Sequence, residues 1–321
     1  MILLGILEQG MIYAIMALGL YITYKILDFP DLTVDGSIIM FLSCLAGGIA
    51  GLVTGIIHVK FKVRDLLSGV ITMTALYSIN LHIAGKANVP IFNMETIFSN
   101  RGLDSLYPDF LDNLKVLIII SIVTIGSKIL LDLYLKTKSG YLLRAVGDNT
   151  TLVVSLAKDS GSVKILGLVI ANALVALSGS VMAQQQGFFE VSMGTGAMVI
   201  GLASVIIGTS LFKRVSFVKP TSAAIIGSIV YKASISLAMD MSLSMILAIV
   251  VAVVCIVYMK KELPLKVILT IISTVSVYLV VKLFIPYEMS ASDMKLITSV
   301  LFMIILITGH EKKRRAKGAR A

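Results

Sequence analysis

The chain has 321 residues, of which 57% are hydrophobic and only 14% are charged, and its formal net charge is +10. Soluble domains carry about 25% charged residues, so this composition excludes an ordinary water-soluble fold and favours a chain solvated by lipid. The positive charge does not indicate nucleic-acid binding, because the cations form short clusters between apolar runs and no RNA-binding aromatic motif or zinc-ligand cluster accompanies them.

The hydrophobic pattern predicts an all-α, polytopic membrane protein with about ten transmembrane helices. Each span needs about 20 mostly apolar residues, and the six prolines lie at or between the spans, as expected for a residue that breaks helix interiors. The spans are predicted near 9–27, 37–57, 66–84, 115–135, 164–185, 196–212, 220–239, 242–259, 265–285 and 296–310. They form one transmembrane domain, 1–310, followed by a basic tail, 311–321. The first residues lack a basic region and include Glu8, so we expect the first helix to be retained rather than cleaved.

Small residues recur on the second predicted span. Gly47, Gly51 and Gly55 lie four residues apart, a spacing that lets two helices approach closely, and we expect packing within the chain rather than a dimer seam. Cys44 and Cys255 each lie in an apolar run without a disulfide or metal-binding pattern, so both are expected to be packing residues.

The distribution of charge predicts the orientation of the spans. If the basic tail is cytoplasmic, alternation of the ten spans places the N-terminus and most cations inside and most acids outside. The long outer connection, 85–114, is then expected to be an ordered cap or a docking surface, and Asp35 the N-cap of the second span. The inner cations are Lys60, Lys62, Arg64, Lys136, Lys138, Arg144, Lys158, Lys164, Lys213, Arg214, Lys219, Lys260, Lys261 and Lys266. The outer acids are Asp28, Asp31, Asp35, Glu95, Asp104, Asp109, Asp112, Glu190, Asp240, Glu288 and Asp293.

The long inner loop, 136–163, contains a turn signal at Gly147-Asp148-Asn149 and then a short amphipathic segment. Asp148, Asn149 or Thr150 can cap a helix over about 149–159, on which Leu152, Val153 and Leu156 supply an apolar face. Such a face can lie on the membrane, pack under the bundle or bind a groove on another protein, and membrane packing and partner docking are equally supported.

Polar and flexible residues follow in the next two spans. Asn172 lies at membrane depth, where it either joins two helices or lines a path, and Gln184, Gln185 and Gln186 either line the path or mark the outer interface. Met193-Gly194-Thr195-Gly196 opens a span as a broken helix at a binding site would, although a plain glycine-rich turn explains it equally well. Lys128 and Asp132 are expected to pair at i, i+4.

Several stretches carry a family resemblance: Leu27-Asp28-Phe29-Pro30-Asp31-Leu32-Thr33-Val34-Asp35-Gly36, Arg144-Ala145-Val146-Gly147-Asp148-Asn149, residues 166–180, and Gly201-Leu202-Ala203-Ser204-Val205. The sequence resembles permease subunits of bacterial ATP-binding-cassette importers, in the branched-chain amino acid and ribose-type family, and within it the tryptophan/tyrosine import branch. The region near 240–285 departs from the family's shorter pattern.

The resemblance implies a non-enzymatic pore subunit without a cofactor or metal, in the bacterial cell membrane with a cytoplasmic C-terminus. Two copies would pair, a cytoplasmic ATPase would bind the inner loop, and an external binding protein would deliver an amino acid, aromatic or branched-chain. The coupling residues implied are Arg144, Gly147, Asp148, Asn149, Leu152, Val153 and Leu156. The candidate path residues come from their polar or flexible character within the predicted spans, and they are Asn172, Gln184, Gln185, Met193, Gly194 and Gly196. The chain has no phosphate-binding Gly-x-x-x-x-Gly-Lys-Ser/Thr loop of its own. An ion-coupled secondary transporter is the alternative, which the near absence of acids within the predicted spans disfavours.

Overall fold

The computed structural model describes residues 2–27, 40–92, 96–99, 112–148, 160–212 and 218–239, and every structural statement below concerns these residues. One compact unit extends to Lys232. The helices are α1 (Ile2–Leu20, continued by a π-helix, Tyr21–Ile26), α2 (Met40–Val59), α3 (Asp65–Ala84), α4 (Asp112–Tyr134), α5 (Lys138–Asp148), α6 (Ser160–Gln186), α7 (Gly194–Leu211) and α8 (Pro220–Met239). The strands are β1 (Asn88–Pro90) and β2 (Phe188–Glu190).

Five helical segments are long and apolar enough to cross a membrane, and they coincide with the first five predicted spans. They are Leu3–Ile26, Met40–Val59, Asp65–Ala84, Leu114–Tyr134 and Ser160–Gln186. The next two predicted spans coincide with α7, which is apolar but shorter, and with α8. The last three predicted spans, the basic tail and Cys255 lie outside the described residues, so the total of ten stays a prediction.

The glycine stripe of α2 packs along α6. A Cβ atom on Gly51 would lie 2.4 Å from the carbonyl oxygen of Leu168, and one on Gly47 would lie 2.5 Å from the Cβ of Ala176. Gly55 faces Ile165 in the same way, so the two helices run antiparallel with their backbones close together. The predicted packing within the chain is confirmed.

The direction of α1 corrects the predicted topology. Its first half lies beside the end of α6, where Ser178 Oγ donates a 2.7 Å hydrogen bond to the carbonyl of Ile12, and its last residue, Leu27, lies beside Gly167 near the start of α6. Therefore α1 and α2 both run antiparallel to α6, and strict alternation is wrong for the first two spans. Leu27 and Met40 lie at opposite ends of the bundle, and the intervening residues, with Asp28, Asp31 and Asp35, lie outside the described residues.

The two ends of the bundle differ in composition. One end, called the strand end below, carries a two-stranded antiparallel sheet in which Val89 is paired with Phe189. The sequence did not predict these strands, which are only three residues long. The opposite end, called the basic end, carries exposed or half-buried cations that follow α2 and α4, lie near the start of α6 and precede α8. Because α1 runs in this direction, Glu8 lies at the strand end and Lys25 at the basic end. Both positions increase the difference in charge between the two ends, on which the predicted orientation depends.

Candidate functional site

The inner loop begins with a helix, not with the predicted turn. Thr137 caps α5, because its Oγ1 accepts a 3.2 Å hydrogen bond from the Gly140 amide. Gly147 and Asp148 are the last residues of α5, so the prediction of a turn there is wrong for these two positions. The reason is tertiary packing: a Cβ on Gly147 would lie 1.5 Å from the carbonyl oxygen of Ile26, so only glycine lets α5 cross the end of the π-helix.

The helix α5 has one face on the bundle and one face in solvent. Leu143 and Val146 are fully buried and pack in a cluster with Ile22, Ile26, Leu27, Leu131 and Leu135, from the ends of α1 and α4. Tyr141 is 62% exposed, and Arg144 is exposed as well. The predicted coupling residues Asn149, Leu152, Val153 and Leu156, and the helix predicted over 149–159, lie outside the described residues.

A polar network joins α4 to the start of α8 at the same end. Asp132 accepts hydrogen bonds from Lys128 Nζ at 3.0 Å, from Lys219 Nζ at 3.2 Å and from Thr221 Oγ1 at 2.7 Å. The predicted Lys128–Asp132 pair is confirmed. The carboxylate thereby binds one side chain of α4, one of α8 and that of the residue just before α8, and it holds the basic end of α4 against α8.

A cavity of about 40 Å³ lies between α1, α6, β2 and α7 near the strand end. Ligand pockets for small molecules measure about 300–1,000 Å³, so in this conformation the cavity admits water but no amino acid. Glu190 supplies a carboxylate, which accepts a hydrogen bond from Ser192 Oγ. The lining residues are Ile12, Tyr13, Met16, Ser178, Gly179, Met182, Phe189, Glu190, Met193, Gly194 and Ala197.

Two of the predicted path residues, Met193 and Gly194, line this cavity. Gly196 lies on the other side of α7, where it is exposed and a Cβ would meet no neighbouring atom within 4 Å. The structure therefore brings only part of the Met193–Gly196 stretch to a common site.

The polar residues of α6 have structural contacts instead. Asn172 is buried against Gly51 of α2, and its Nδ2 donates to the Leu168 carbonyl of its own helix at 3.0 Å, so it lies in the seam between α2 and α6 and does not line the cavity. The Gln184 Oε1 accepts a 3.1 Å hydrogen bond from the amide of Ile97, so this side chain anchors the connection that precedes α4. Gln185 Nε2 lies 3.5 Å from the Glu8 carboxylate of α1.

Sequence reasoning missed Tyr13, Met16, Phe189 and Lys232 as neighbours of the cavity. The Lys232 ammonium lies 5.8 Å from the centroid of the Tyr13 ring, within the range of a cation–π contact. No motif marks these residues, because they lie on two helices, α1 and α8, and on the strand β2, which are distant in sequence. Among the described residues, no group of three or more metal-ligating side chains is present.

Comparisons with known proteins match the chain to one family model and to two relatives. The family described as branched-chain amino acid transport system, permease component, matches residues 36–256. The chain is 46% identical to the tyrosine transport system permease protein of Clostridioides difficile (strain R20291) over 258 residues, which cover 74% of this chain and 83% of that protein. It is 32% identical to an uncharacterised protein of Rickettsia prowazekii (strain Madrid E) over 260 residues, which cover 74% of this chain and 89% of that one. No solved structure matches it.

Proposed function

This chain belongs to the family of branched-chain amino acid transport system permease components, and we propose that it is the membrane-spanning subunit of an ATP-driven amino-acid importer in a bacterial cell membrane. It is a multi-pass membrane protein of an amino-acid transport class. The chain itself does no chemistry in this proposal: a separate ATPase supplies the energy, and this subunit moves the solute.

The observation that carries the proposal is the one-sided packing of α5. Its apolar face is buried against the ends of α1 and α4 through Leu143 and Val146, while Arg144 and Tyr141 face solvent. Because the buried face is close-packed, a partner that pushes on the exposed face would move α1 and α4 rather than deform α5. Gly147 adds a direct backbone contact with the π-helix, a helix type often found at functional sites.

The orientation and partners follow from the two ends of the bundle. In this proposal the basic end is cytoplasmic by the positive-inside rule, so α5 is open to an ATPase, and the predicted coupling residues Leu152 and Leu156 extend the same contact. The strand end is external and receives the solute from a binding protein. A second copy of the chain completes the transporter as a homodimer, and the C-terminal tail, outside the described residues, is cytoplasmic.

The solute passes the cavity near the strand end, with Met193 and Gly194 on its wall. The aromatic rings of Tyr13 and Phe189 suit an aromatic amino acid, the class to which the name of the tyrosine permease points. Glu190 can pair with the ammonium group of such a solute, and Lys232, beside Tyr13, with its carboxylate. The cavity has to widen for the solute to enter, so the described conformation is closed at this position.

The proposal is tested with the exposed charge on α5. We expect Arg144→Glu, and separately Leu152→Asp with Leu156→Asp, to reduce ATPase capture and ATP-driven tyrosine uptake in proteoliposomes by about tenfold or more, since an interface loses a charged or apolar anchor. Lys60→Glu is the matched control, because Lys60 is exposed at the same end, in the turn between α2 and α3, and changes charge by the same amount.

Two results would contradict the proposal. Uptake that continues at the wild-type rate without any ATPase, driven by a proton or sodium gradient, would assign the chain to the secondary transporters. Equal ATPase capture by all variants would show that α5 and its continuation are not the coupling element.

A further inference from the structure

An open cavity of about 380 Å³ lies at the basic end, and no residue of α5 is among those that line it. The end of α2, the turn that follows it, the first residue of α3 and the start of α6 form its walls. The lining residues are His58, Val59, Lys62, Val63, Arg64, Asp65, Ser160, Gly161 and Lys164.

The cavity carries an excess of positive charge. Lys62, Arg64 and Lys164 line it, and within the described residues no ion pair joins any of these three cations to an acid. The one carboxylate in the wall is Asp65, whose Oδ1 lies 3.8 Å from His58 Nδ1. Three cations around one open volume attract an anion with more than one charged oxygen, such as a phosphate ester.

The turn that holds two of the cations has a fixed shape. His58 Nδ1 donates a 2.9 Å hydrogen bond to the carbonyl of Val63, which closes the turn on the end of α2. Lys62 adopts a left-handed backbone conformation with φ of 55°, so its side chain leaves the turn in a set direction. The cavity is therefore formed before any ligand binds, which lowers the entropic cost of binding.

The position of the cavity selects among phosphate-bearing ligands. The helices α2, α3 and α6 are all candidate membrane spans, and the cavity lies at the end they share, which is the depth of lipid headgroups. Exposed apolar side chains flank the cations: Phe61 is 72%, Leu66 54% and Leu67 53% exposed. A lipid satisfies both features, because its phosphate meets the cations while its acyl chains cover the apolar residues.

We propose that this cavity binds the headgroup of an anionic phospholipid from the leaflet at the basic end. The phosphate lies among Lys62, Arg64 and Lys164, and the acyl chains run along Phe61, Leu66 and Leu67. The bound lipid fills the space between the α2–α3 turn and the start of α6, the helix that packs against the glycine stripe of α2 and forms part of the wall of the cavity near the strand end. This inference does not depend on the solute or on the ATPase.

The test compares two variants that each lose three positive charges from the basic end. Lys62→Gln with Arg64→Gln and Lys164→Gln removes the cations of the cavity. Lys60→Gln with Lys136→Gln and Lys138→Gln removes three exposed cations that do not line it. Each full-length protein is placed in nanodiscs of phosphatidylcholine with a minor share of phosphatidylglycerol or cardiolipin, and the retained lipid is counted by native mass spectrometry. Thermal unfolding in phosphatidylcholine alone confirms that both variants are folded.

We expect the wild type and the control variant to enrich the anionic lipid equally, and the cavity variant to lose about tenfold or more of that enrichment, since each basic residue near an anionic surface contributes roughly fivefold to binding. Equal loss in both triple variants would overturn the proposal in favour of a general charge effect. Displacement of the lipid by millimolar inorganic phosphate would overturn it in favour of a soluble anion. A cavity variant that keeps the lipid but loses ATPase capture would overturn it in favour of a protein interface.

Discussion

The two sides of α6 are packed in different ways. Toward α2, small residues every four positions bring the two backbones into contact, and a Cβ on Gly51 or Gly47 would overlap atoms of α6. Toward α1 and α7, near the strand end, the same helix leaves a cavity of about 40 Å³ between Ser178, Met182 and the facing side chains. One helix thus carries a close-packed seam on one side and a space lined by flexible side chains on the other.

The difference separates the part of the bundle that holds its shape from the part that can change it. A backbone-to-backbone seam has no side chain that can rotate aside, so α2 and α6 are expected to move as one body. Methionine side chains adapt to changes of shape, and Met16, Met182 and Met193 all line the cavity. The solute path is therefore expected on the α1 and α7 side of α6, and a substitution on the seam should affect folding before it affects transport.

The largest expected effect is a loss of stability from Gly51→Ala. The added methyl group would lie 2.4 Å from the Leu168 carbonyl oxygen, which belongs to the backbone and cannot move alone. We expect the free energy of unfolding to fall by about 2–3 kcal/mol or more, the upper range for overpacked sites. Thermal or denaturant unfolding of the purified protein in detergent measures the change.

Gly48→Ala is the matched control on the same helix. A Cβ there would meet Val169 Cγ1 at 3.5 Å, an ordinary contact, and alanine favours the helix over glycine by about 1 kcal/mol. A stability equal to the wild type or slightly higher is expected. If both variants lose the same stability, the seam is not close-packed and the contrast between the two sides of α6 fails.

The second effect is a loss of transport from Ala197→Phe, at the cavity rather than at the seam between α2 and α6. Ala197 lines the cavity and is nearly buried, so an aromatic ring there occupies the space that the solute is proposed to cross. We expect tyrosine uptake to fall by about tenfold or more, because a filled pocket excludes its ligand. Val199→Phe, on an exposed position two residues away, should transport normally. Uptake by folded Ala197→Phe at the wild-type rate would place the path elsewhere.

The sequence predicts those parts of this contrast that are determined by short segments of the chain, and not those that depend on packing between distant segments. The spans and the glycine stripe are visible in the sequence, because hydrophobicity and helical spacing are properties of short segments. The direction of α1 is not visible in the sequence, because the rule of alternation assumes that each connection between two predicted spans stays on one side of the membrane. The structure shows instead that the two neighbouring helices run in the same direction.

The candidate sites were predicted only in part for the same reason. The sequence predicts a turn at Gly147, whereas the structure has this glycine in α5 against the carbonyl of Ile26, 121 positions earlier in the chain. Tertiary packing here overrides the low helix propensity of Gly140, Gly147 and Asp148. The cavity near the strand end could not be predicted, because its wall is assembled from separate helices and a three-residue strand.

A third, smaller effect concerns the rim of the cavity. Ser178→Ala removes the 2.7 Å hydrogen bond from α6 to the Ile12 carbonyl of α1, and we expect a loss of about 1 kcal/mol in the free energy of unfolding. Ser43→Ala is the control: its hydroxyl is equally buried but bonds to Met40 within its own helix. A smaller loss is expected there, because α2 keeps its backbone hydrogen bonds and no contact between helices is broken. A larger loss for Ser43→Ala would contradict this account of how α1 is held beside the cavity.

The smallest effect on stability is expected for Lys232→Met, which tests whether the cavity side is shaped for the solute rather than for folding. The substitution removes a cation–π contact with Tyr13 worth about 0.5–1 kcal/mol, but it also removes the cost of keeping an ammonium group half-buried, so the two changes largely offset each other. Unfolding free energies of the variant and the wild type should therefore agree within about 1 kcal/mol. Tyrosine uptake should nonetheless fall, since the proposed partner of the solute carboxylate is gone, while Lys232→Arg, which keeps the charge over the ring, should retain most of it. If uptake by each variant falls only in proportion to its loss of stability, Lys232 is a packing residue, and other parts of the transporter recognise the solute.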